Sequence, residues 1–97
     1  MIAEQLFKPG SIVVVGASDD VTKPGGKIVK HIVDGKFQGP VYTVNPKADT
    51  IQGLPCYRNV HDLPQVDLAV IAVAAKFASE AVKVLTEEKG TKAVIII

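Results

Sequence analysis

Ser11-Ile12-Val13-Val14-Val15-Gly16-Ala17-Ser18 is the stretch on which the fold turns. Four consecutive β-branched residues leave no polar side to face water, so the run reads as a strand covered on both faces, the condition of an inner strand in a parallel sheet. Outward from it, Ile28, Val29, Ile32 and Val33 recur at helical spacing between Gly26 and Asp34, with Lys27, Lys30, His31 and Asp34 on the other side. That is an amphipathic helix, and Gly35 suits the position just past its end. A buried strand, a glycine loop and a helix in succession form the first half of a β-α-β unit.

The rest of the chain repeats the alternation. Val41-Tyr42-Thr43-Val44, bounded by Gly39-Pro40 and Asn45-Pro46, reads as a second strand. From Lys47 to Gln65 the pattern is weaker, with a short strand near Leu54 to Tyr57 and a helical turn near Asn59 to Leu63. Asp67-Leu68-Ala69-Val70-Ile71-Ala72-Val73 is another buried strand, and Phe77 to Lys89 a second helix with Ala78, Ala81, Val82 and Leu85 inward. Gly90 stops it, and Thr91 to Ile97 reads as a last buried strand. Because the sequence stops inside that strand without a turn, the expectation is a domain over 1–97, truncated after Ile97 and forming the N-terminal part of a longer enzyme. Alternating strands and helices with right-handed crossovers predict an α/β fold, a Rossmann-like open parallel sheet with helices on both faces in a single domain. Such sheets bind ligands beyond the carboxyl ends of their strands where strand order reverses, here between the first strand and Asp67–Val73.

Bulk properties remove whole classes of function. Ninety-seven residues make one small domain. Eleven basic and ten acidic residues leave a net charge of +1, without the basic excess that grips a nucleic-acid backbone. No apolar run reaches the roughly 18 residues of a membrane span, so no nucleic-acid or membrane partner is expected. Cys56 is the only cysteine, which excludes an intrachain disulfide and a thiolate metal cluster. Met1 to Phe7 lacks the basic and apolar regions of a secretory signal, and with a lone cysteine the expected setting is cytoplasmic.

The chemistry concentrates at the strand-to-helix loop. Gly16-Ala17-Ser18 closes the first strand and Lys23-Pro24-Gly25-Gly26-Lys27 opens the helix, so backbone N–H groups and a helix N-terminus converge on an anion site. The gap between Gly16 and Gly25 is too long for the G-x-G-x-x-G fingerprint, and no glycine stands two residues after Gly16. After the second strand, Asn45-Pro46-Lys47 replaces the acidic residue that would hold the ribose hydroxyls of NAD, and a lysine there favours an additional phosphate. An NAD(P)-dependent oxidoreductase domain is therefore disfavoured, while the plainer possibility that these glycines only shape a turn stays open. Lys23, Lys27 and Lys30 gather around the helix start, where cations oppose the dipole unless an anion is bound; a solvated face is the alternative. His31, His61 and Cys56 receive no chemical role, Cys56 reading as a buried structural thiol.

In order along the chain, Gly16-Ala17-Ser18, Lys23-Pro24-Gly25-Gly26, Phe37-Gln38-Gly39-Pro40-Val41-Tyr42-Thr43-Val44-Asn45-Pro46-Lys47, Ile51-Gln52-Gly53, Asp62-Leu63-Pro64 and Val66-Asp67-Leu68-Ala69-Val70-Ile71 resemble the coenzyme A-binding domain of NDP-forming acyl-CoA synthetases. The same set is similar to the succinyl-CoA synthetase α subunit. The resemblance implies coenzyme A or acyl-CoA as ligand and cofactor. It puts the coenzyme's phosphates at Gly16, Ala17, Ser18, Lys23, Gly25 and Gly26, the adenosine portion by Asn45, Pro46 and Lys47, and the pantetheine path along Val73, Ala74 and Ala75. Many relatives carry a proline beside that last segment and this chain does not. The family's reaction passes through a phosphohistidine and a nucleotide-grasp domain, and neither fits in this length. A catalytic residue is thus not expected here, and a stand-alone coenzyme A-binding or regulatory protein remains the alternative.

Overall fold

The computed structural model describes residues 9–97; the N-terminal stretch read for a targeting signal lies outside them. The elements are β1 (Ile12–Val15), α1 (Pro24–Asp34), β2 (Val41–Val44), β3 (Thr50–Ile51), β4 (Leu54–Tyr57), a 3-10 turn (Val60–Asp62), β5 (Leu68–Ile71), α2 (Ala75–Glu88) and β6 (Ala93–Ile96). They form one six-stranded sheet in the order β3-β4-β2-β1-β5-β6. Every pairing is parallel except the β3–β4 hairpin. Strand order reverses around β1, which has β2 on one side and β5 on the other, as the expected α/β fold requires.

The β-branched run of β1 explains both layers. Val13 and Val15 pack with Ala69, Ile71 and the α2 residues Ala78, Ala81 and Leu85, whereas Val14 packs with Val70, Ile51 and Val29 of α1. Alternate side chains of one strand thus serve opposite helices, which is why no polar residue interrupts it. Truncating the fully buried Val13 to alanine would cost about 2 kcal/mol for two lost methyl groups, plus a cavity contribution.

Helix α2 begins at Ala75 rather than Phe77, and other details also depart from the sequence reading. Helix α1 begins at Pro24 rather than Gly26, because proline's fixed φ suits the first helical position and its missing N–H costs nothing there. Val33, expected inward, is exposed, so the buried stripe of α1 narrows to Ile28, Val29 and Ile32. In α2 it is Val84, with Ala78, Ala81 and Leu85, that is buried, and Val82 is only partly covered. Strand β6 is not buried on both faces: Ile95 and Ile96 are 50% and 63% exposed. Among the described residues its one neighbour in the sheet is β5, and while Val94 packs against the cluster that includes α2, the apolar cluster around α1 includes no β6 residue.

The hairpin β3–β4 was hidden from periodicity because β3 has only two residues. Its turn is Gln52-Gly53, both at positive φ (49° and 80°), a conformation whose twist matches that of the paired strands.

Candidate functional site

At the carboxyl end of β1 the backbone leaves the sheet through Gly16, whose φ is +86° and whose missing side chain would meet the Ala72 carbonyl at 2.7 Å. The N–H groups of Gly16 and Ala17 donate to the Val44 carbonyl (2.9 and 3.3 Å), and the Ala72 N–H donates to the Val15 carbonyl (2.8 Å). These bonds tie the ends of β1, β2 and β5 into one rim. Beyond it, the Ser18 hydroxyl accepts from the Asp20 N–H, and the Asp20 carboxylate accepts from the Thr22 hydroxyl (2.6 Å) and N–H (2.9 Å). The Thr22 hydroxyl first, then its N–H, holds the Asp20 carboxyl below the usual carboxylate range, with a smaller contribution from the Lys23 charge.

The loop leads straight into α1. Gly25 and Gly26 are buried because the helix presses against the loop: a Cβ on Gly25 would strike the Gly16 carbonyl, and one on Gly26 the carbonyls of Asp20 and Ser18. Among the described residues no side chain caps this helix, and its first turn holds no acidic residue. The N–H groups of the first turn therefore lack the partner that a cap provides, and they sit at the positive end of the helix dipole. An anion is what this geometry accommodates. Lys23 and Lys27, both exposed, stand at the same end, and Lys30 pairs instead with Asp34 at 3.0 Å.

Two side-chain amides hold the loop from behind. Asn45, at the end of β2, donates to the Ala17 carbonyl (2.9 Å) and accepts from the Lys47 N–H (2.8 Å). Its carboxamide is thus engaged within the protein, and it fixes where the exposed Lys47 starts. Gln52, in the hairpin turn, donates from Nε2 to the carbonyls of Ser18 and Gly26 (both 3.0 Å) and from its backbone N–H to the Asp19 carboxylate (2.7 Å). The sequence reading quoted Gln52 within a motif and gave it no role, since a polar residue in a turn carries no signal of what it touches.

On the α2 side of the same rim lies an open, mainly apolar cleft of about 640 Å³ between the 3-10 turn and α2. Val15, Val44, Pro46, Val73 and Phe77 form its walls, with Ala74 at the start of α2. Phe77 is 58% exposed although large and apolar, and Lys76 lies 5.1 Å from its ring centre. Arg58 stands at the margin, bonded through Nε to Asp49 at 3.0 Å, a contact that raises its already high pKa. Two of the lining residues, Arg58 and Phe77, carry no signal in the sequence, and Ala75 is exposed and lies outside the lining. Every other residue named in advance lies on this rim: Gly16, Ala17, Ser18, Lys23, Gly25 and Gly26 on the α1 side, Val73 and Ala74 on the α2 side, and Asn45-Pro46-Lys47 between them.

His31 and His61 are exposed; His61, with its Nδ1 3.3 Å from Glu88, also lines the cleft on the α2 side. Cys56 is half-buried rather than buried, and its Sγ lies near the carbonyls of Asn45 and Tyr57.

A polar loop and an apolar cleft on one rim suit a ligand with an anionic end and a long, less polar arm. The model of the CoA binding domain matches residues 10–97, nearly all of this sequence. The chain belongs to that family. It is 45% identical over 93 residues to "Acetate--CoA ligase [ADP-forming] II" of Archaeoglobus fulgidus, covering 95% of this chain and 14% of that one. It is 37% identical over 94 residues to "Trans-feruloyl-CoA synthase FCS1" from an unknown prokaryotic organism, covering 96% of this chain and 13% of the relative. The apo structure of the dinucleotide-forming acetyl-coenzyme A synthetase 1 of Ca. Korarchaeum cryptofilum superposes with a TM-score of 0.83 at 40% identity, over 94% of this chain and 20% of that one. This CoA binding domain is thus homologous to the α-subunit region of ADP-forming acyl-CoA synthetases, and it spans about an eighth to a fifth of the length of the three relatives named.

Proposed function

We propose that the rim holds coenzyme A as one extended ligand, its phosphates on the β1–α1 loop and its pantetheine arm along the cleft beneath α2. The observation that carries this reading is the uncapped, acid-free N-terminus of α1 meeting a glycine loop at the edge where an apolar cleft also opens. Gly25 and Gly26 let backbone N–H groups approach an anion closely, Lys23 adds charge, and Val73, Ala74 and Phe77 offer apolar surface to the arm. Lys47, displayed by the Asn45 turn, reads the extra phosphate that distinguishes coenzyme A from dephospho-coenzyme A and NAD.

The reaction served is the interconversion of an acyl-CoA, phosphate and NDP with the free acid, CoA and NTP. In it coenzyme A is a substrate rather than a resident cofactor. This domain presents the coenzyme, while the phosphohistidine and nucleotide-grasp domains of such ligases act as its partners. The setting is cytoplasmic; among the described residues no helix is long and apolar enough to cross a membrane. In this reading the acid is selected outside this domain, which is supported by two relatives whose printed names differ in the acid.

Calorimetric titration of the chain with coenzyme A, dephospho-coenzyme A and NAD separates the readings. Coenzyme A should bind tightest, dephospho-coenzyme A more weakly and NAD weakest. Preference for NAD would sink the assignment in favour of an oxidoreductase-type domain.

A further inference from the structure

We infer that Gln52 is a positioning residue for the anion loop, aiming backbone N–H groups that the sequence alone leaves free to turn. This rests on the coenzyme reading for the identity of the anion, though not for the geometry.

A trans, planar peptide fixes its N–H antiparallel to its C=O. Asn45 Nδ2 holds the Ala17 carbonyl, so the Ser18 N–H is directed away from Asn45. Gln52 Nε2 holds the next carbonyl, that of Ser18, so the Asp19 N–H is directed away from Gln52. Two carboxamides thus grip successive peptide units from β2 and from the β3–β4 hairpin, and they set two consecutive N–H groups. Successive backbone N–H groups fixed by their surroundings are the device by which loops hold anions. The same Gln52 nitrogen reaches the Gly26 carbonyl in the first turn of α1, locking the loop to the helix whose N-terminus is uncapped. Its backbone N–H donates to the Asp19 carboxylate at 2.7 Å, which anchors that acidic side chain to the hairpin turn.

This clamp explains features that otherwise stand alone. The hairpin β3–β4 is too short to stabilise itself, yet its turn sits at positive φ with a half-buried glutamine rather than the asparagine or glycine such turns favour. The longer side chain spans from the hairpin to both carbonyls. The positive φ of Gln52 is accounted for if the amide must stand where it does.

The test is an amide-resolved NMR titration of the chain and of Gln52→Met and Gln52→Asn with inorganic pyrophosphate, coenzyme A and pantetheine. Methionine keeps length without donors; asparagine keeps the amide, tolerates the positive φ and falls short of the carbonyls. In the unsubstituted chain the Ser18 and Asp19 N–H signals should shift with pyrophosphate. Both variants should lose about tenfold in pyrophosphate affinity, the scale of one or two lost hydrogen bonds, with pantetheine affinity within about twofold of the parent. If the parent responds to pyrophosphate but not to coenzyme A, and the variants lose that response, the clamp stands and the coenzyme reading falls. Variants that bind pyrophosphate like the parent overturn the clamp and leave the coenzyme reading intact. Equal losses for pyrophosphate and pantetheine, or a parent whose Ser18 and Asp19 signals ignore pyrophosphate, also overturn it.

Discussion

Helices α1 and α2 start on opposite faces of one sheet rim, and neither has a side-chain cap or an acid in its first turn. The resemblance ends there. Helix α1 opens with Pro24-Gly25-Gly26 wedged against the preceding loop, with its glycines buried and its surroundings polar. Helix α2 opens with exposed Ala75-Lys76-Phe77 above an apolar cleft. The first site is made of backbone, so its requirement is for residues without side chains; the second is made of side chains, so its requirement is for apolar bulk. One sheet edge can therefore offer both ends of an amphipathic ligand a suitable surface without any charged group being buried.

The comparison breaks most sharply at Gly26. Gly26→Ala should destabilise the domain by about 2–3 kcal/mol, because the added carbon meets the backbone carbonyls of Asp20 and Ser18 rather than a movable side chain. Urea denaturation checks it, and a loss below about 0.5 kcal/mol would mean that the loop and helix are not packed as described. The opposite site should fail differently. Phe77→Ser should leave stability almost unchanged, since the ring is already 58% exposed, and weaken coenzyme A roughly tenfold by removing apolar surface worth about 1.5 kcal/mol to the ligand. Unchanged affinity in calorimetry would detach the cleft from the site.

Between them, Lys47→Met should cost about threefold for coenzyme A and leave dephospho-coenzyme A unaffected, with the difference fading as salt is raised. Equal loss for both ligands would deny Lys47 its role as the phosphate reader. The smallest effect concerns Asp20. Its folded pKa is depressed, so its ionised form stabilises the loop at neutral pH, and that contribution is lost as pH falls through the folded value. Asp20→Asn should thus melt slightly below the parent at pH 7, and the two melting temperatures should converge below about pH 4, under the usual carboxylate pKa. A gap that stays constant with pH would show that the carboxylate charge does not matter to the loop.

How far the sequence disclosed this follows from the same contrast. The parallel sheet was legible because Ile12–Val15 and Leu68–Ile71 are unbroken apolar runs, and buried inner strands admit nothing else. The glycine loop and the start of α1 were legible because glycine and proline are conspicuous and each has few uses. Arg58 and Phe77 were not legible, since an arginine after a short strand and a phenylalanine on a helix have ordinary uses everywhere. Gln52 was hidden for another reason: its partners Ser18, Asp19 and Gly26 lie more than two dozen residues away, and only the hairpin brings them together. Val94-Ile95-Ile96 of β6 has the composition of an inner strand, and among the described residues it pairs with β5 alone.

The most direct test of one ligand spanning both helix starts is a crystal structure of the chain with coenzyme A. The account predicts a phosphate oxygen within hydrogen-bonding distance of the Gly25 or Gly26 N–H and the pantetheine arm against Val73 and Phe77. A coenzyme whose phosphates lie away from the α1 N-terminus, or whose arm leaves the cleft empty, would contradict it.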